Sequence, residues 1–188
     1  MVHLRSLFFT GPITITEEKC INTYCRKGIS EVIWNITDAC NLQCKYCYLD
    51  AKTSASEGEL SRYEALKFVK IIGEAGIPLL FITGGEPLLR KDIYELLGLC
   101  KEYEILTVLS TNGTLLSDHT IHKLTKLNVH YVAVPMYGSK SFYSKYMGKP
   151  EIADRVLENS KRLIKEGINV CFKTIVTVSY THLTLPTN

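Results

Sequence analysis

No apolar run in this sequence is long enough to cross a bilayer: the stretch from Ile77 to Ile82 falls far short of the roughly 20 residues a membrane helix needs. Near the N-terminus, Leu7, Phe8 and Phe9 are cut off by Gly11 and Pro12, too soon for a secretory h-region. A basic block is lacking as well. The formal charge of +3 is spread along the chain, without the electrostatic footprint of a nucleic-acid binder, so neither a membrane nor a nucleic-acid partner is expected. The cysteines do not form an even, spaced framework of the kind that staples secreted domains. There are seven, with three of them between residues 40 and 47, and that crowding suits metal ligation in a reducing compartment; a cytoplasmic location is expected. With 188 residues and 46% hydrophobic content, the chain can fill one ordinary core.

From residue 31, short β-branched runs alternate with longer amphipathic stretches, the pattern of β-α units around a parallel sheet. Strands are predicted at 31–37, 78–83, 104–110, 129–134 and 169–176, with four helices between them. Ser61 with Glu64 forms a capping box before a stripe of Tyr63, Leu66, Val69 and Ile72. Asp92 with Glu95 repeats the device before Ile93, Leu96, Leu97 and Leu99, and Ser117 caps a third helix with Ile121, Leu124 and Leu127. The fourth helix runs from about 152 to 166. Gly76, Asn128 and Gly167 stand where a left-handed residue ends a helix. A full eight-unit barrel takes about 250 residues, so five strands spell an open sheet, a smaller barrel or a barrel cut short.

Directly after the first strand comes Cys40-Asn-Leu-Gln-Cys44-Lys-Tyr-Cys47, spaced C-x3-C-x2-C. Three thiolates on a four-iron cube leave one iron without a protein ligand and open to an exogenous amine and carboxylate. The competing reading is a zinc-stabilised binding module without redox activity, its tetrahedron completed by Cys20, Cys25 or a histidine. After the second strand, Gly84 and Gly85 let backbone approach a ligand closely, and Glu86 before Pro87 can accept from an ammonium. After the third, Ser110-Thr111-Asn112-Gly113 offers hydroxyls and an amide at the same rim. Strand carboxyl ends of a parallel α/β barrel open on one face, so the three motifs converge there.

These residues resemble the radical S-adenosylmethionine superfamily, whose hallmark C-x3-C-x-aromatic-C is matched by Cys40, Cys44, Tyr46 and Cys47. The resemblance implies a [4Fe–4S] cluster on the three cysteines and S-adenosylmethionine chelated to the open iron. It also implies reductive cleavage to a 5′-deoxyadenosyl radical that abstracts a substrate hydrogen. Gly84, Gly85, Glu86 and Pro87 look like the family's GGEP motif, contacting the methionyl amino group; Ser110 and Asn112 look like the segment that holds the methionyl carboxylate or ribose. Pro135-Met136-Tyr137-Gly138 departs from the family's S-x-D-G, leaving the ribose contact open between Tyr137 and Ser139. The implied fold is α/β, a partial (β/α) TIM-like barrel truncated after about five strands, and the resemblance covers roughly residues 31–176. The implied branch comprises SPASM-type maturases and tetrapyrrole-modifying members. Its substrates are peptides, proteins, tetrapyrrole-type or other small molecules, and its electron donor is a flavodoxin or ferredoxin.

Three segments are therefore expected: an N-terminal extension over 1–30, a partial barrel over 31–177 and a non-native tail over 178–188. The tail is uncharged and resembles the in-frame translation of a transposase sequencing adaptor. A chain so truncated is expected to be inactive alone, with an unpaired sheet edge. Cys20 and Cys25 read as free thiols, Cys100 and Cys171 as small hydrophobes, and His119 and His122 as surface residues. Lys140, Lys145 and Lys149 read as a solvated loop that could steer an acidic substrate.

Overall fold

The structure is a computed structural model that describes residues 29–137 and 140–175. Cys20, Cys25, Gly138, Ser139, almost all of the expected N-terminal extension and the expected tail lie outside the described residues. The chain alternates strands and helices: β1 (Val32–Asn35), α1 (Arg62–Glu74), β2 (Leu79–Thr83), a 3-10 turn (Pro87–Leu89), α2 (Ile93–Glu102) and β3 (Leu106–Ser110). It continues with α3 (Asp118–Lys126), β4 (Tyr131–Pro135), α4 (Lys140–Met147), α5 (Ile152–Lys165) and β5 (Asn169–Lys173).

All five strands are parallel and lie side by side in chain order, β1 to β5. Crossovers between parallel strands are right-handed almost without exception. An order that never reverses therefore places every helix on the same side of the sheet, as in a barrel wall and unlike a doubly wound sheet. Burial agrees. Trp34, Ile36, Leu80, Ile82, Leu109, Val132 and Val134 alternate along their strands and pack with Ala65, Val69, Ile72, Leu96, Leu97, Leu124 and Val156 of the helices in one core. The register assigns the other face to Ile33, Asn35, Phe81, Thr83, Val108, Ser110, Tyr131, Ala133, Cys171 and Lys173. On that face Ile33 is 65% exposed among the described residues.

The expected caps hold at two helices. Ser61 and Glu64 exchange the capping-box bonds at α1, and the Ser117 hydroxyl accepts from Thr120 N at α3. Gly76, Asn128 and Gly167 all have positive φ, at 68°, 58° and 81°. Three expectations are corrected. Asp92 makes no side-chain cap on α2, because its carboxylate is taken by Arg90 two residues earlier, through Nε at 2.7 Å and Nη2 at 3.1 Å. Tyr63 is 75% exposed, since the buried stripe of α1 runs through Ala65, Val69 and Ile72 and Tyr63 sits across the helix from it. Lys140 and Lys145 lie on α4 rather than in a loop: the buried Tyr143, Tyr146 and Met147 give that segment an apolar side. The strands are shorter than predicted at most ends, which reflects ladder bonds stopping before the β-branched runs do.

Arg90 also donates through Nη1 to Ile36 O and through Nη2 to Leu60 O, both at 2.8 Å, with Glu59 3.9 Å away. It is almost buried, as is its partner Asp92. Replacing Arg90 by Met therefore leaves a buried carboxylate and two carbonyls without their donor. A loss of about 3 kcal/mol is expected, read from the urea denaturation midpoint.

Candidate active site

The three cysteines lie on a loop whose neck is closed at both sides. Cys40 N donates to Lys52 O at 2.7 Å and Lys52 N to Asp38 O at 3.0 Å, making a parallel bridge between Ala39 and Lys52. Beneath the neck, Glu59 Oε1 accepts from the Thr37 hydroxyl and from Asp38 N, each at 2.7 Å, while Ser56 bonds the Asp38 carboxylate. Arg90 ties this same region to α2.

The glycine motif supports the loop from the side. Gly85 N donates to Thr37 O and Glu86 N to Ala39 O, both at 2.7 Å, extending the β1–β2 pairing past the strands. A Cβ on Gly85 would stand 2.3 Å from Ala39 O, and one on Gly84, where φ is +132°, 2.4 Å from Thr37 O. The pair is therefore required by the approach of chain to chain. Pro87 then opens the 3-10 turn with Glu86 as its cap.

Glu86 is fully buried, and three protein donors meet its carboxylate. Oε1 accepts from the Thr111 hydroxyl at 2.7 Å and Leu88 N at 3.1 Å, and Oε2 from Asn112 N at 2.7 Å. Burial raises its pKa. The bonds from Asn112, Thr111 and Leu88 and the charge of Lys173 oppose that shift.

The Asn112 side chain is also engaged. Its Nδ2 donates to Asn41 Oδ1 at 2.8 Å and lies 3.8 Å from Cys40 Sγ, and its Oδ1 accepts from Thr114 N at 2.9 Å and the Thr114 hydroxyl at 2.7 Å. Asn41 closes the circuit by donating to Thr114 Oγ1 at 2.9 Å. Ser110, at the end of β3, accepts from the Thr83 hydroxyl at 3.3 Å and from Lys173 Nζ. Tyr46 packs against Tyr146 of α4 with the rings tilted at 59° and their centroids 4.7 Å apart, and Lys45 N donates to Tyr146 O at 2.8 Å, so α4 braces the cysteine loop. Tyr137 lies against Tyr143, 5.2 Å between centroids.

The thiols differ in setting. Cys40 is buried, Cys44 half-buried and Cys47 exposed. Burial first, then the neighbouring Cys40 and Cys47 thiols, pushes Cys44 up to about 11; burial likewise raises Cys40. Cys47 Sγ accepts from Ala51 N at 3.3 Å. Among the described residues no three His, Cys, Asp or Glu side chains converge on a point that could hold a single metal ion. N–H donors reach two of the loop's sulfurs, Asn112 Nδ2 at Cys40 and Ala51 N at Cys47, which suits thiolate ligands of an iron–sulfur cluster.

Cysteine loop, glycine turn and polar turn all follow strand ends at one rim of a parallel β/α sheet, the layout of barrel enzymes. Residues 34–184 match the Radical SAM superfamily, and the chain belongs to that family. It is 36% identical over 139 residues to the Fe-coproporphyrin III synthase of Methanosarcina barkeri (strain Fusaro / DSM 804), covering 74% of this chain and 35% of that protein. It is 31% identical to the GTP 3′,8-cyclase of Campylobacter lari (strain RM2100 / D67 / ATCC BAA-1060), covering 75% of this chain and 45% of that one. The fold is shared with Streptococcus suis SuiB bound to S-adenosylmethionine, at a TM-score of 0.65 and 22% identity over 81% of this chain and 36% of that chain. The chain spans less than half the length of these proteins. A [4Fe–4S] cluster and S-adenosylmethionine are the cofactors characteristic of the family. Among the described residues no helix is long and apolar enough to cross a membrane.

Asn41, Thr114, Glu59, Arg90 and Lys173 went unremarked in the sequence, and Thr111 was read only as a hydroxyl of the polar turn. Only Lys173 carried a signal, as a lone charge within the apolar run of β5. Cys100 is buried in α2, where burial pushes its thiol up to about 12, and His119 and His122 are exposed on α3, as expected of each.

Two outcomes follow. Gly85→Ala forces backbone apart and should lower stability by about 2 kcal/mol or more, seen as a drop in denaturation midpoint. In metal-free protein at pH 8, iodoacetamide should modify exposed Cys47 about tenfold faster than Cys44, whose thiolate is scarce below its raised pKa of about 11, as read by peptide mass spectrometry.

Proposed function

We propose that the parent protein is a radical S-adenosylmethionine enzyme in which Cys40, Cys44 and Cys47 hold a [4Fe–4S] cluster and the rim around Gly84, Gly85, Glu86, Pro87, Ser110, Asn112 and Tyr46 receives the cofactor. The observation carrying this reading is the Cys40–Cys47 loop seated by backbone bonds on the glycine turn, beside a buried carboxylate. When bound, the cluster and cofactor supply an electron to a sulfonium and a 5′-deoxyadenosyl radical for hydrogen abstraction. The chain's own residues do the placing. Gly84 and Gly85 hold the loop against the sheet, and Thr111 and the Asn112 amide hold the Glu86 carboxylate at the rim with one lone pair of Oε2 left for an ammonium.

For the substrate, the likeness to a coproporphyrin-forming enzyme favours a tetrapyrrole-type molecule over the peptide or protein alternatives. A cytoplasmic location and a flavodoxin or ferredoxin as electron donor belong to the same reading, as does a native barrel domain beginning near residue 31.

Anaerobic reconstitution of the full-length protein should give a brown species with about four irons and four sulfides. Its reduced electron paramagnetic resonance signal should change on adding S-adenosylmethionine, and 5′-deoxyadenosine should form. Cys44→Ala should lose the colour and the product together. A colourless protein with one zinc, or a signal indifferent to the cofactor, would refute the assignment in favour of the zinc module.

A further inference from the structure

Beside the cysteine loop, three chain segments meet and leave a cleft of about 380 Å³ between them. Each wall is fixed. Asn41 Nδ2 donates to Thr114 Oγ1 at 2.9 Å, joining the loop to the polar turn, and Lys45 N donates to Tyr146 O at 2.8 Å, joining it to α4. On the third side, Asn159 Nδ2 donates to Gly113 O at 2.9 Å and Arg162 Nη1 to Leu116 O at 3.3 Å, which hold α5 against the chain after β3. Elements bonded this firmly do not close over the gap, so the cleft is preformed and of a size that takes a small molecule. Gly84, Gly85, Glu86, Ser110 and Asn112 do not line it, so it is separate from the rim read as the cofactor site.

We propose that this cleft binds a sugar phosphate. Lys149, in the turn between α4 and α5, and Arg155, in the first turn of α5, both line it, and neither has an ion-pair partner among the described residues. Other cations nearby are paired: Lys140 with Asp154, and Arg162 with Asp118. Asn41 adds a donor, because it spends one Nδ2 proton on Thr114 and keeps the second. An ammonium, a guanidinium and an amide N–H thus reach the cleft from three segments. That set matches the three terminal oxygens of a phosphate monoester better than the two coplanar oxygens of a carboxylate.

The rest of the lining fits what carries the phosphate. Glu151 is an acceptor for hydroxyl groups, and two cations against this one carboxylate leave the cleft positive. Leu42 and Ile152, both buried, supply an apolar floor for a ring. Inorganic phosphate uses only the cations and the amide; a sugar phosphate uses every wall. The inference goes beyond the reading of the chain as a radical S-adenosylmethionine enzyme and does not depend on it.

The test is isothermal titration calorimetry on the full-length protein, with ribose 5-phosphate, inorganic phosphate, ribose and gluconate as probes, repeated on Arg155→Gln and Lys149→Gln. Ribose 5-phosphate should bind with a Kd of about 1 mM or below, about tenfold tighter than inorganic phosphate, while ribose and gluconate give no heat of binding up to about 10 mM. Arg155→Gln and Lys149→Gln should each weaken ribose 5-phosphate about tenfold at unchanged iron content and melting midpoint. Both side chains are exposed, and if one variant fails to fold the other serves as the reading. The proposal is overturned if ribose 5-phosphate does not bind below about 10 mM, if gluconate or inorganic phosphate binds as tightly, or if the folded variants change its Kd less than about twofold. Absence of 5′-deoxyadenosine from the unmodified protein would instead refute the enzyme assignment and leave these constants standing.

Discussion

The approach of two backbones, residues 37–39 against residues 84–86, is the constraint on which the rest of the site depends. At 2.7 Å the Gly85 and Glu86 amides bond Thr37 and Ala39 carbonyls, and no side chain fits between. That contact continues the sheet beyond the strand ends without a gap, so the cysteine loop leaves the sheet from a fixed base. A flexible loop with three thiols would lose much of its ordering entropy on capturing a cluster. A loop already bonded at its neck and base has lost most of it during folding.

Glu86 links that base to the next strand. Its backbone amide holds the cysteine loop while its carboxylate holds Thr111 and Asn112, so one residue joins the ends of β1, β2 and β3. A buried carboxylate is expensive, and each of its bonds offsets part of the desolvation. The resulting arrangement is stiff because removing any donor leaves the charge less well compensated. The polar turn after β3 is positioned by the same group that the family resemblance assigns to the cofactor, so support and recognition share atoms.

Much of this was legible in the sequence. Local chemistry names itself: the Ser61 box, the Ser117 cap and the left-handed Gly76, Asn128 and Gly167 follow from neighbours a few residues away. Cysteine spacing is local too. What escaped was set by contacts across long separations or by competition. Asp92 was readable as a cap, but nothing in the sequence said that Arg90 would claim it. Asn41 and Thr114 are ordinary loop residues until folding brings them to Asn112, over 70 positions from Asn41. Gly84 and Gly85 were recognised as sites of close approach, while what approaches them first is the chain itself.

The same networks bear on the electronic character of the thiolates. N–H donors reach Cys40 through Asn112 and Cys47 through Ala51, and no such donor reaches Cys44 among the described residues. Hydrogen bonds to sulfur withdraw charge, so the three thiols are electronically unequal, and on the proposed reading as cluster ligands they would favour the reduced cluster unequally. Ala51 is fixed by the loop's own fold, but Asn112 is oriented by Asn41 and Thr114. The circuit that ties the polar turn to the cysteine loop therefore also contributes, beside the backbone bond from Leu42, to how firmly the Cys40 sulfur holds its charge.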